Sequence, residues 1–225
     1  MLTKDCIIRI PLPPPLTGLP TQSPYSREKI VFQDAHNAVA LCVDAVMYCQ
    51  GDEDGWLQQR YAQTRVEIWA TLVQGFEQWF TSRSQDFRAV IELYQKDGRL
   101  SEDEFPTIVF SGGAALFANQ LCHTGMLLLL QNKPRFAGQA NSNSPFTSPL
   151  WHSHRISGIA INNNRRECWD PCLLASLLVA ARMATHQSQH LAIFETLDRV
   201  GRLTGWNIAF HLSNLRNEWQ SEGGW

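Results

Sequence analysis

Apolar residues recur at every third or fourth position through most of the second half of the chain, and this spacing constrains the fold most strongly. Such a spacing puts side chains on one face of an α-helix, and that face has to be buried against other elements. Three stripes of this kind follow one another: Leu173, Leu174, Leu177, Leu178 and Ala181; Leu191, Phe194, Leu197, Val200 and Leu203; and Ile208, Leu212, Leu215 and Trp219. The pattern predicts three core helices.

The residue types at the ends of the stripes agree with these helices. Asp170 followed by Pro171 predicts a helix start, because an aspartate accepts from free first-turn N–H groups and proline lacks the N–H that would have no partner there. Gly205 predicts a helix end, because glycine adopts the left-handed conformation that closes many helices. The region contains no catalytic motif, so its pattern indicates structure rather than chemistry.

The first half of the chain shows the same helical spacing. An apolar face runs from Arg27 to Gln50, the loop Gly51 to Gly55 follows, and a long helix is predicted from about Trp56 to Ser82. A further helix is predicted over 114–131, and residues 132–149, rich in Pro, Asn and Ser, predict a long surface loop. The fold class is therefore all-α, with one domain of about eight helices over residues 28–225.

Residues 1–27 hold six of the eleven prolines and predict an extended tail or linker rather than a helix. A polyproline ligand for an aromatic groove is the alternative interpretation. The start of the chain lacks the continuous apolar region of a signal peptide, and the most apolar run, Met126 to Leu130, is far shorter than the ~20 residues of a membrane span. We therefore expect a soluble, intracellular protein without a membrane segment.

Charge and composition narrow the classes of partner. The net charge is −2, from 19 basic and 21 acidic residues, and the basic residues are scattered. Specific nucleic-acid binding needs clustered Lys and Arg, so we expect no direct specific DNA binding by this chain alone. Charged residues make up 18% of the chain, below the roughly 25% of an average soluble domain, which leaves apolar surface for protein partners.

The cysteines and histidines do not form a recognisable metal motif. A zinc cluster needs closely paired thiolates, whereas the cysteines are spread over the chain: Cys6, Cys42, Cys49, Cys122, Cys168 and Cys172. The best set of candidate ligands is His152, His154, Cys168 and Cys172. Two histidines two residues apart point to different faces of a helix, and the helix start at Asp170 separates the two cysteines, so no metal ligand is predicted.

Catalytic and cofactor motifs are also missing from the sequence. There is no Gly-x-Ser-x-Gly, and the Ser111 to Gly113 turn before a helix has neither a Gly-Lys-Ser/Thr nor a Gly-x-Gly-x-x-Gly pattern to bind phosphate. His123, within a predicted helix, is expected to be packed and hydrogen-bonded. The sequence therefore predicts no catalytic residue, no cofactor and no enzyme activity.

Several short motifs occur in an order that resembles a known family. The second half contains a Trp-His pair that opens the segment Trp151 to Asn163, then Trp169 before a leucine-rich helix, a unit from Leu197 to Trp206, and a closing pair, Leu215 and Trp219. The first half contains Trp69, then Trp79-Phe80 with Arg83 and Phe87, the segment Phe105 to Phe110, and His123 with Leu127 to Leu130. This ordered set, over about residues 28–220, resembles the regulatory, or middle-homology, region of fungal binuclear-zinc-cluster transcription factors.

The resemblance implies a nuclear regulator of RNA polymerase II transcription. In that family a separate cysteine cluster binds DNA, and the helical region restrains activity or senses effectors. This chain departs from the pattern because it has neither the cluster nor a coiled coil, so we expect a truncated gene product, a fragment of a longer gene, or a stand-alone regulator. The partners implied are other transcription proteins, a full-length zinc-cluster factor, or a small-molecule effector.

A helical enzyme or small-molecule-binding protein is the alternative function, with a site assembled from residues distant in sequence. A large apolar cavity with converging polar groups would favour it. A filled core with an exposed apolar surface would favour a protein-interaction domain.

Overall fold

A computed structural model describes residues 27–52, 54–93, 104–137 and 144–221. The proline-rich tail predicted for residues 1–27 lies outside these ranges except for Arg27, where the first helix begins, and so does the middle of the loop predicted for residues 132–149. Helices make up 74% of the described residues, and the all-α class with eight helices is confirmed.

The helices and strands follow one another without long gaps in the described ranges. Three short 3₁₀ turns, Gln85–Phe87, Pro145–Thr147 and Arg166–Cys168, lie between them. The main elements are α1 Arg27–Gln50, α2 Trp56–Tyr61, α3 Arg65–Ser82, β1 Ile91–Leu93, β2 Thr107–Val109, α4 Gly113–Gln131, α5 Pro149–Asn162, α6 Pro171–Ala181, α7 Gln187–Thr204 and α8 Ala209–Ser221.

Helix α4 is the centre of the domain and packs against α1, α3, α5 and α6. It is buried on nearly all sides, which is why its sequence is apolar all round rather than striped. Gly125 allows the closest of these contacts, because a Cβ atom there would lie 2.3 Å from Cζ of Phe76 on α3. The predicted helix over 114–131 is confirmed within one residue.

Two described helices are as long and as apolar as a membrane span, residues 28–50 of α1 and 113–131 of α4. The short run Met126 to Leu130 therefore lies within a longer apolar helix, and the expectation of a protein without a membrane segment stays a prediction. In α4, 72% of the most apolar window is buried inside the protein, as in the core helix of a soluble domain. In α1 the corresponding share is 22%, so much of that helix lies at the surface of the domain.

The helix predicted from Trp56 to Ser82 is wrong as a single element, because the chain breaks between α2 and α3. Ala62 adopts a left-handed conformation with φ 51°, and Thr64 then caps α3. The Glu67 carboxylate accepts from the Thr64 N–H at 2.8 Å, and the Thr64 hydroxyl accepts from the Glu67 N–H at 3.4 Å. This reciprocal capping box, Thr-x-x-Glu, starts a new helix inside a continuous apolar pattern.

The C-terminal helices confirm the predicted caps. The Asp170 carboxylate accepts from the N–H groups of Cys172 and Leu173, at 2.7 and 3.1 Å, and starts α6. Gly205, with φ 77°, ends α7. The predicted α8 stripe is also confirmed for Ile208, Leu215 and Trp219, which are buried, while Leu212 is partly buried.

The predicted apolar stripe of α7 is wrong in part. Leu197 and Val200 are buried, but Leu191 and Leu203 are exposed, and Ile193 lies in the core instead. The helix is rotated because His190 faces inward and stacks on Trp219 of α8, with ring centroids 3.8 Å apart. His190 also contacts the Ala184 carbonyl at 2.9 Å, so a polar residue with partners occupies an inner position.

The hairpin of β1 and β2 was not predicted from the sequence. The strands pair antiparallel, with Ile91 opposite Val109, and β2 lies against α5. Gly158 permits this close approach, because a Cβ atom there would lie 2.3 Å from the Pro106 carbonyl oxygen. Asn163 fixes the register of β2 by donating to the Ile108 carbonyl at 2.9 Å and accepting from the Phe110 N–H at 3.1 Å.

Candidate functional site

A row of polar side chains, buried except for Glu92 at its outer end, connects the hairpin to the interior of the helical domain. Glu92 of β1 accepts from both terminal nitrogens of Arg155 on α5, at 2.5 and 3.2 Å. The Arg155 Nε donates to Nε2 of His123 on α4 at 3.0 Å. Nδ1 of His123 lies 2.9 Å from Nδ1 of His152, whose Nε2 lies 2.8 Å from the Phe146 carbonyl oxygen. We call these residues the histidine–arginine row.

Donor and acceptor chemistry fixes the proton positions along this row. Arginine only donates, so Nε2 of His123 has to accept, and the neutral ring then carries its proton on Nδ1. That proton is donated to Nδ1 of His152, which leaves the His152 proton on Nε2, where it is donated to the Phe146 carbonyl. Every ring nitrogen of both histidines therefore has a partner when both rings are neutral.

The electrostatics of the row agree with neutral histidines. Burial, and then the nearby charge of Arg155, hold the pKa of His123 well below its ordinary value. Burial lowers the pKa of His152 to about 4, although its hydrogen bond to the Phe146 carbonyl opposes the shift. The only formal charges in the row are those of Arg155 and Glu92, whose side chains are 2% and 35% exposed.

Aromatic rings enclose the row. The rings of Phe80 and Trp151 lie 5.4 and 5.3 Å from that of His123, at angles typical of edge-to-face packing. The Arg155 guanidinium lies 4.8 Å from the centroid of the Trp151 ring, and that of Arg83 lies 3.7 Å from the Phe80 centroid. Burial raises the pKa of the neighbouring Cys122 thiol, which favours its protonated form. The histidine–arginine row therefore holds β1 against the helices. The Cys122 thiol beside it is not activated as a nucleophile.

The row was partly visible in the sequence. His123 is buried and hydrogen-bonded, as predicted. His152, a candidate metal ligand by sequence, is a hydrogen-bond partner of His123 instead. Arg155 and Glu92 were missed. Arg155 lies three residues after His152, a spacing that puts both on one helix face, but its partner lies 63 residues away in sequence. Such a long-range contact has no local signal.

The four candidate metal ligands have separate surroundings. His152 belongs to the row, and Nε2 of His154 contacts the Gln189 amide nitrogen at 3.3 Å. Cys168 is buried beside a small cavity, whereas Cys172 is exposed at the start of α6. The described part of the chain contains no group of three or more His, Cys, Asp or Glu residues that could hold a metal ion. Ser111 and Gly112 precede α4, and Gly113 is its first residue.

A second buried ion pair joins α1 to α2. Asp44, a residue that sequence reasoning did not single out, accepts from the Tyr61 hydroxyl at 2.6 Å and from Arg60 at 3.3 Å. Burial raises the pKa of this carboxyl, while the Tyr61 hydrogen bond and the Arg60 charge lower it. The contacts explain why the short helix α2 lies on α1.

Apolar side chains on and beside β1 are exposed at the surface. Val90, Ile91 and Leu93 are 66%, 43% and 61% exposed. Within the described ranges β1 pairs with β2. A row of exposed apolar side chains can bind an apolar segment of another protein. We call the exposed side chains of Val90, Ile91 and Leu93 the β1 surface.

Comparison of this chain with known protein families, with curated proteins and with solved structures found no match.

Proposed function

We propose that this chain is a transcription regulator that acts through protein contacts in the nucleus, as its resemblance to the regulatory region of fungal zinc-cluster transcription factors implies. One observation carries the proposal. The β1 surface presents exposed apolar side chains, and the ion pair of Glu92 with Arg155 holds their strand to the core.

The ion pair of Glu92 with Arg155 fixes the β1 surface in one conformation before a partner binds. An edge strand free to move would lose conformational entropy on binding, whereas a strand held by a buried arginine has already lost it in folding. Ile91 and Leu93, two positions apart on one face of the strand, provide apolar side-chain contacts. The partner that fits is an apolar segment of another transcription protein or of a full-length zinc-cluster factor.

A small-molecule effector, and the alternative function of a helical enzyme or small-molecule-binding protein, have weaker support. The cavity between α4, α5 and α6 has a volume of about 10 Å³. That volume is about what one water molecule needs, and far below the hundreds of Å³ of ordinary ligand pockets. The histidine–arginine row is the densest polar cluster described, and its histidine nitrogens already have protein partners.

The proposal is tested by tethering the chain to an unrelated DNA-binding domain in a fungal cell that carries a reporter gene. We expect the reporter to change several-fold, in either direction, relative to the DNA-binding domain alone. Leu93→Lys should abolish the change, because a charge on the β1 surface opposes apolar docking. Leu191→Lys is the matched control, since Leu191 is also exposed, at 47%, but lies on α7. A tethered wild-type chain that leaves the reporter at its baseline would contradict the proposal.

A further inference from the structure

The indole of Trp169 differs from those of three other buried tryptophans. The Nε1–H groups of Trp69, Trp79 and Trp219 each donate to a backbone carbonyl, at 2.8, 2.8 and 3.1 Å. The Nε1 of Trp169 is equally shielded from solvent, yet it has no hydrogen-bond partner in the described part of the chain. A buried donor without a partner destabilises the fold, so this group needs an acceptor.

An acceptor without a partner lies in the same region. Gln120 on α4 is 1% exposed, and its Oε1 is buried without a hydrogen-bond partner among the described residues. Its Nε2 donates to the Ile156 carbonyl at 3.4 Å. Exchanging the positions of Nε2 and Oε1 would place two oxygen atoms, Gln120 Oε1 and the Ile156 carbonyl oxygen, against each other and remove this hydrogen bond. The orientation in which Nε2 faces the Ile156 carbonyl is therefore the favourable one.

Trp169 and Gln120 line the same cavity, the one of about 10 Å³ between α4, α5 and α6. Leu116 and Leu173 contribute apolar walls. Asn163 also lines the cavity, but its side-chain nitrogen and oxygen are already bonded to the backbone at Ile108, Ile159 and Phe110. Cys168 also lines the cavity, and its thiol is only a weak donor and acceptor. The side-chain nitrogen and oxygen atoms there that lack a partner among the described residues are therefore one donor, from Trp169, and one acceptor, from Gln120.

We propose that Trp169 Nε1 and Gln120 Oε1 together bind a single hydroxyl group. A hydroxyl can accept from the indole and donate to the amide oxygen at once, and the cavity has room for one oxygen atom. A carboxylate has no proton for the amide oxygen, and an ammonium group has no acceptor for the indole. The hydroxyl is that of one water molecule, because the cavity has no room for the carbon atoms of an alcohol. This site is separate from the β1 surface and goes beyond the proposed function.

The test is a proton–nitrogen NMR spectrum of the tryptophan indoles of the full chain, with the Trp169 signal assigned from Trp169→Phe. We expect the Trp169 indole proton to show a cross-peak to long-lived water. The indoles of Trp69, Trp79 and Trp219 serve as controls in the same sample, because they donate to carbonyls and should show none.

Gln120→Met should weaken the water cross-peak several-fold, because it removes the acceptor and keeps the volume. Gln131→Met, a change at an exposed glutamine of the same helix, should leave the cross-peak unchanged. If Gln120→Met fails to fold, a high-resolution crystal structure of the wild type decides instead, with an oxygen atom expected within hydrogen-bond distance of both groups. Absence of the water cross-peak, or a crystal structure with an empty cavity, would overturn the proposal.

Discussion

Arg155 carries a charge that folding removes from water, and at the residue scale its ion pair with Glu92 is the contact most sensitive to mutation. We expect Glu92→Gln to lower the free energy of unfolding by about 2–3 kcal/mol, because it removes a carboxylate that accepts two hydrogen bonds from a buried guanidinium. The figure is at the low end for a buried pair, because the Glu92 side chain is 35% exposed. Urea unfolding at neutral pH measures the change.

The pair of Arg182 with Glu218 is the control for that experiment. It has the same residue types, but its side chains are 49% and 42% exposed. Glu218→Gln should change the free energy of unfolding by less than about 1 kcal/mol, because solvent already screens the pair. Equal losses in the two variants would show that burial of Arg155 adds nothing to the strength of its ion pair.

The lowered pKa values of His123 and His152 predict a loss of stability in acid. The pKa of His152 falls from 6.5 to about 4 on folding, so the unfolded chain binds protons that the folded chain does not. The stabilisation is complete above pH 6.5 and declines as the pH falls towards 4, by up to about 1.4 kcal/mol per pH unit for each such histidine. Asp44, whose pKa is raised, opposes this decline.

Unfolding free energies measured at several pH values between 7.5 and 5 test this prediction. His152→Gln should make the acid slope shallower, because one titrating group is removed. His211→Gln should leave the slope unchanged, because His211 is exposed on α8. An unfolding free energy that does not change over this pH range would show that the histidines are accessible to protons in the folded state.

At the scale of elements, contact of β2 with α5 depends on Gly158. A methyl group there would meet the Pro106 carbonyl oxygen at 2.3 Å, and backbone cannot move aside as a flexible side chain can. We expect Gly158→Ala to cost about 1–3 kcal/mol, despite the better helix propensity of alanine. Gly113→Ala, at a helical position with nothing within 4 Å, should be neutral or slightly stabilising. Thermal or urea unfolding compares the two variants, and a neutral Gly158→Ala would contradict the close packing.

Sequence patterns predicted the long helices better than the contacts between them. The bounds of α1 and α4 and the caps at Asp170 and Gly205 follow from local residue types, which the sequence contains directly. The break between α2 and α3 has a local signal too, in Thr64 and Glu67, but the apolar pattern across it is continuous. Apolar spacing alone therefore does not predict this helix boundary, whereas the capping residues do.

The hairpin and the rotation of α7 depend on contacts between distant residues. β1 and β2 are separated by residues 94–106, and each strand has only three residues, too few for a clear alternation. The inward face of α7 is set by His190 stacking on Trp219 of α8. The predicted inner face of α7 was chosen from apolar residues only. It therefore included Leu191 and excluded His190. In the histidine–arginine row, Arg155 and Glu92 escaped prediction because their contact joins residues 63 apart in sequence.

At the scale of the whole molecule, we expect the chain by itself to bind neither structural zinc nor a specific DNA sequence. Its net charge is −2, and specific recognition needs clustered basic residues and side chains that reach base edges. Metal analysis of the purified protein and a titration with DNA that contains CGG half-sites, chosen from the family resemblance, measure both. Stoichiometric zinc, or nanomolar sequence-selective binding at physiological salt, would contradict the account and direct attention to His152, His154, Cys168 and Cys172.

The central claim, that the β1 surface binds a transcription protein, is tested most directly by photo-crosslinking inside the cell. A photoreactive amino acid replaces Leu93 in one version of the full chain and Leu191 of α7 in a second, and crosslinked proteins are identified by mass spectrometry. We predict that position 93 crosslinks a transcription protein or a zinc-cluster factor in the nuclear fraction and that position 191 does not. Crosslinks of equal yield from both positions, or none from position 93, would contradict the account.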